Sequence, residues 1–190
     1  MAALLIFLGL ICIFYVSLFL GKYLARINSF SANIGKNIYD KKVDQYKTSS
    51  HFKPLRNAVN HHNLYKGLLI VFPLIIIKSL SMYFISLILI IPLVVVIHGI
   101  TTGSLIVYHE KKEGNSNVLA KIIFWQLMSH LIAATFGFLK GLDWIFKTNL
   151  TSDSNISILG DIKFYIILSV VTGFIAAYLE VKSLYPNVKV

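Results

Sequence analysis

Charge is what this chain has least of. Of its 190 residues only 14% are charged, against about 25% in soluble domains. Hydrophobic residues make up 56%, and the mean hydropathy is +0.73. A chain of 21.4 kDa has too little interior to hide that much apolar surface from water. One cysteine excludes a disulfide-stapled secreted module, and the absence of a heptad run excludes a coiled coil. The abundance of Leu, Ile and Phe excludes disorder. What remains is an integral membrane protein.

Acidic residues are scarcer than basic ones, 8 against 18, for a net charge of +10. In a soluble protein that excess would suggest nucleic acid. Here half of the basic side chains fall between Lys22 and Lys66, accompanied only by Asp40 and Asp44. A basic segment between apolar runs reads as a cytoplasmic loop facing anionic lipid headgroups, so no nucleic-acid partner is expected. The apolar start, Met1 to Leu20, lacks a positive leading region, and Lys22 and Arg26 follow it. It reads as an uncleaved helix with its amino terminus outside, and Cys12 as a small hydrophobe within the membrane.

Crossing a hydrocarbon core of about 30 Å takes about 20 apolar residues in a helix. The stretch from Leu68 to Tyr108 is twice that length and divides into helices near Tyr65–Ser86 and Leu87–Tyr108. The turn between them is poorly marked, and a re-entrant hairpin with its tip near Lys78 is the alternative. Val118–Leu139, started by Asn115 and Ser116, is the fourth crossing. Phe164–Leu179 is the fifth. The loop from Lys140 to Asp161, with Asp143, Asp153 and Asp161, falls outside, and the tail with Lys182 and Lys189 falls inside. The expected fold is therefore an all-α polytopic bundle of about five spans, amino terminus out and carboxyl terminus in. Its parts are an N-terminal span (1–21), a basic cytoplasmic segment (22–66) and a four-span membrane domain (67–190). Within the basic segment, Leu55, Val59, His62 and Tyr65 recur at helical spacing and predict an interfacial helix. The stretch from Asn28 to Ser50 reads as a loop held to headgroups by its lysines.

Catalytic patterns are absent: no HExxH, no phosphate-binding loop, no paired intramembrane aspartates. The chain is expected not to be an enzyme and to hold no metal or cofactor. Polar residues inside the spans are few. His98 and His130 are the minimum set for bis-histidine haem, and hydrogen-bonded structural histidines are the plainer reading. Lys78, Thr101, Thr102, Gln126 and His130 could instead line a polar path. Small residues are more frequent. Gly99/Gly103, Ala133/Gly137 and Gly173/Ala177 recur at helix-packing spacing, so the third to fifth spans are expected to pack on one another or on a partner. The first span, made mostly of large apolar residues, is expected to meet a partner or a second copy. Glu180, at the end of the last apolar run, reads as a boundary carboxylate, an ion pair or a partner contact.

The stretch from Ile91 to Glu180 resembles the stage II sporulation protein M family of polytopic membrane proteins. His98-Gly99-Ile100-Thr101-Thr102-Gly103 is similar to that family's Asn-Gly and following Gly, with His in place of Asn. Ala133-Ala134-Thr135-Phe136-Gly137 resembles the end of its alanine-rich helix, although Pro-His-Gly is missing and Gln126 stands nearest the family's Glu. Ala176-Ala177-Tyr178-Leu179-Glu180, followed by Pro186, matches the end of its last helix. The resemblance implies a non-catalytic scaffold or subunit of a complex in the cell membrane. Its expected partners are other integral membrane proteins or further copies of itself. A small-solute transport component is the alternative, and a haem subunit the second.

Overall fold

The computed structural model describes residues 2–61, 63–114, 116–148 and 162–184. Within them the chain forms seven α-helices and no strand. These are α1 (Ala2–Ile27), α2 (Ser29–Thr48), α3 (Lys53–Asn60), α4 (Leu64–Leu87), α5 (Ile91–Glu113), α6 (Asn117–Phe146) and α7 (Ile162–Ser183). Five of them, α1, α4, α5, α6 and α7, are long and apolar enough to cross a membrane. The chain is thus an all-α, multi-pass membrane protein. His62, Asn115, Asp153, Asp161, Pro186 and Lys189 lie outside the described residues.

The long apolar stretch resolves into two helices of 24 and 23 residues. At 1.5 Å per residue each is about 35 Å long, enough for a full crossing and not a re-entrant hairpin. The turn is hard to see in the sequence because Leu89, not glycine, takes the left-handed conformation there (φ 59°). Ser116 does not cap α6 with its side chain; its hydroxyl donates to Glu110 Oε1 at 2.7 Å.

The segment expected to be a headgroup-bound loop is instead the 20-residue helix α2. Asn28 starts it, its Oδ1 accepting the Phe30 N–H at 2.8 Å. Ser31, Gly35 and Tyr39 follow at i, i+4 and form the face that lies on α5. Gly35 sits against the Ser104 backbone. The Tyr39 ring meets Tyr108 at 5.4 Å, carries the Lys112 ammonium at 4.4 Å, and donates its hydroxyl to Glu113 Oε1 at 2.7 Å. That bond to a carboxylate, with some burial, raises the Tyr39 pKa to about 12. Low overall hydropathy hid a helix whose contact face combines small residues with one tyrosine.

Arg56 fixes the corner after α2 by donating to the carbonyls of Tyr46 and Ser49. The expected interfacial helix is α3, with Leu55 and Ala58 buried. It stops at Asn60, so Tyr65 belongs to α4. Leu55 packs with Val71, Ile75, Ala176, Ala177 and Val181, so α3 closes one end of the bundle beside α4 and α7.

The helices sort into two halves. In the first, Gly99 and Gly103 of α5 press on the α1 backbone between Phe14 and Lys22, and Gly21 of α1 presses on Ile100. The two helices run parallel, and α2 lies along the far part of α5. In the second half, Gly137 and Gly141 of α6 press on Tyr83 and Leu87 of α4, again in parallel. The α7 helix returns antiparallel, with Ser129 meeting Ser169 and Phe136 facing Tyr165. Ser129 is the hub of this half: its Oγ donates to the Ser169 carbonyl at 2.9 Å and lies 2.9 Å from Ser79 Oγ. The halves meet mainly where α1 packs on α6 through Leu10, Phe14, Leu127 and Leu131.

The fourth and fifth spans pack on each other as expected, but the third does not join them. The third span, α5, barely touches α4 or α6 and packs on α1. Ser17 and Gly21 on α1 are the reason, a small-residue step inside an otherwise bulky sequence that accepts Gly99 and Gly103 at backbone distance.

Candidate functional site

A polar cavity of about 300 Å³ lies on the seam between the two halves. Helical spacing places its walls. His98 and Thr102 stand one turn apart on α5, Gln126 and His130 one turn apart on α6, and Lys78 faces them from α4. Lys42 of α2 completes the ring. Met82, Ile85, Leu105, Ile123 and Leu127 supply the apolar remainder.

His130 and Thr102 are buried, 8% and 5% exposed, whereas Lys42 and Lys78 are exposed. No Asp or Glu oxygen comes within 4.0 Å of either ammonium among the described residues. The nearby carboxylate, Glu180, accepts a hydrogen bond from Gln126 Nε2 at 2.6 Å. Burial pushes the Lys42 ammonium below its ordinary pKa, Lys78 adds repulsion, and Glu180 opposes both. His130 Nε2 is buried with no hydrogen-bond partner. Leaving a buried polar nitrogen unpaired costs about 1–3 kcal/mol unless something outside the chain meets it.

Beyond the two histidines the seam closes. There His98 and His130, with Phe14, Val95, Leu131 and Ala134, enclose only about 10 Å³. That is about the room one water needs. Among the described residues no cluster of three or more His, Cys, Asp or Glu could hold a metal.

Four of the five residues expected on a polar path, Lys78, Thr102, Gln126 and His130, share this cavity, and His98 joins them. Thr101 does not, since its hydroxyl turns back to donate to the carbonyls of Ile97 and His98. Glu180 accepts a hydrogen bond from Gln126. Ala133 lines an apolar groove of about 340 Å³ between α4, α6 and α7. Gly173 faces Ser129 and Ile76, and Ala177 is fully buried beside α3 and α4. Cys12 is exposed on the outer face of α1. Lys42 was missed; the step Gly35–Tyr39–Lys42, at i, i+4, i+7, would have placed it on the inner face of a helix had α2 been recognised.

The chain matches no family model, no curated protein and no solved structure.

Proposed function

We propose that the protein is a non-catalytic, multi-pass component of a membrane transport system that moves a small solute through the seam between its two halves. One observation carries this reading: Lys78, His98, Thr102, Gln126 and His130, from three of the candidate membrane spans, converge with Lys42 of α2 on one cavity. Polar and ionisable groups within spans are costly, and their usual return is a path for substrate or ion. A scaffold needs helix surfaces only and gives no account of two lysines beside an unpaired histidine. Next to the cavity, the space lined by both histidines narrows to about 10 Å³ among Phe14, Val95 and Leu131.

Thiol accessibility tests the reading. In a Cys12→Ser background, Thr102→Cys should react with a membrane-impermeant thiol reagent from the α2 side of sealed vesicles, whereas Val171→Cys, on the exposed face of α7, should not. Thr102→Cys that stays unreactive from both sides would show a dry, sealed seam and end the transport reading.

A further inference from the structure

We propose that the seam cavity is an anion site: its ligand carries a phosphate or carboxylate group, held between the ammonium groups of Lys42 and Lys78 and reached by Nε2 of His130.

Charge balance is the first ground. Two lysines from different helices enter one cavity, and neither has a carboxylate within 4.0 Å among the described residues. The one nearby carboxylate is already bonded by Gln126. With both ammonium groups and Glu180 ionised, the site carries one uncompensated positive charge. Lys42 and Lys78 are both exposed, so that positive charge is open to a counter-charge from outside the chain. One singly charged anionic group would neutralise it.

The unsatisfied histidine is the second and independent ground. His130 is 8% exposed and lines the cavity, and its Nε2 is buried without a partner. An oxyanion placed between the lysines gives that nitrogen an acceptor. Thr102 and Gln126 add neutral polar contacts on the same walls. Residues from α2, α4, α5 and α6 all take part, so the ligand would bridge the two halves.

This inference rests on the transport reading for the role of the site, but its test is a binding test. The shared chemistry has two sources, a free oxyanion or the headgroup of an anionic lipid. The full chain is purified in a neutral detergent and titrated calorimetrically with inorganic phosphate. In parallel, nanodiscs of phosphatidylcholine with and without phosphatidylglycerol are analysed by native mass spectrometry for retained lipid. Binding of phosphate points to the free anion, and retention of phosphatidylglycerol alone to the lipid; either supports the site. Lys42→Gln and Lys78→Gln should each weaken that binding at least tenfold, whereas Lys41→Gln should leave it unchanged. Bound anion should also protect Lys42 from amine acylation in the unaltered chain, a readout that needs no variant. Failure of both probes to bind, or binding that survives Lys42→Gln and Lys78→Gln together, overturns the proposal. Anion binding with an unreactive Thr102→Cys would leave the site standing and remove transport; the reverse result would remove the anion and leave transport.

Discussion

Replacing Gly103 by Ala adds one methyl group at the tightest part of the α1–α5 contact. That methyl would stand 2.7 Å from the Lys22 amide nitrogen, 3.0 Å from the Gly21 carbonyl carbon, and closer still to the Leu18 carbonyl oxygen. All three are backbone atoms, so no side chain can swing aside. Restoring ordinary contact near 3.5–4.0 Å requires the helices to part by about 1 Å, and a gap of that size forfeits a quarter to a half of the dispersion energy along it. Overpacking of this kind costs about 1–3 kcal/mol, against up to about 1 kcal/mol gained from the better helix propensity of Ala. Gly9, on the same helix α1, has nothing within 4 Å of an added Cβ. Gly9→Ala therefore keeps the gain without the clash. The two variants should differ by about 2 kcal/mol, roughly thirtyfold in the unfolding equilibrium, with Gly103→Ala the weaker. Unfolding in mixed micelles with increasing dodecyl sulfate, followed by helical circular dichroism, measures both. Equal stabilities would refute the assignment of α1 and α5 as a glycine-mediated pair.

Ser129→Ala removes the hub that joins α4, α6 and α7, and should cost about 1–2 kcal/mol in the same unfolding assay, given the modest strength of hydrogen bonds between membrane helices. In the fold the Tyr39 phenol is held neutral to about pH 12, whereas the unfolded chain ionises it near 10.0. Its contribution to stability is therefore complete below pH 10.0 and is lost as pH rises towards 12. An ultraviolet tyrosinate titration should lose its last-ionising component in Tyr39→Phe. Lys42, with its lowered pKa, should be acylated ahead of Lys41 at mildly alkaline pH, and Lys78→Gln should slow that labelling by removing the repulsion; equal rates at both lysines would contradict its place in the cavity.

Hydropathy alone made the five spans legible, because a run such as Leu68–Tyr108 has no alternative to lying in lipid. Pairing was harder to read. Gly99 and Gly103 announced a close helix contact, but a glycine pair says nothing about which backbone it will meet, and the answering Ser17 and Gly21 were masked by the Leu, Ile and Phe around them. The polar path was legible in four residues because a Lys or Gln inside a span stands out against its neighbours. Thr101 was misplaced since a threonine can satisfy its hydroxyl on its own helix. Lys42 was invisible for the opposite reason: it is one of nine basic residues in a segment whose charge looked like a single solvated patch. Only the helical face set by Ser31, Gly35 and Tyr39 separates it from Lys41.

The alternation of the chain between its two halves bears on how the molecule is made. The α1 helix leaves the ribosome well before α5, whose glycines receive it, and two of the three helices emitted between them, α3 and α4, belong to the other half. During synthesis Ser17 and Gly21 must therefore wait in the bilayer, or beside the insertion machinery, until α5 arrives. The α4 helix waits in turn for Gly137 and Gly141 of α6. Neither half can be produced as one uninterrupted stretch of polypeptide. A gene cut between α4 and α5 would yield two fragments that regain structure only by finding each other, since each fragment carries one helix of both glycine-mediated pairs.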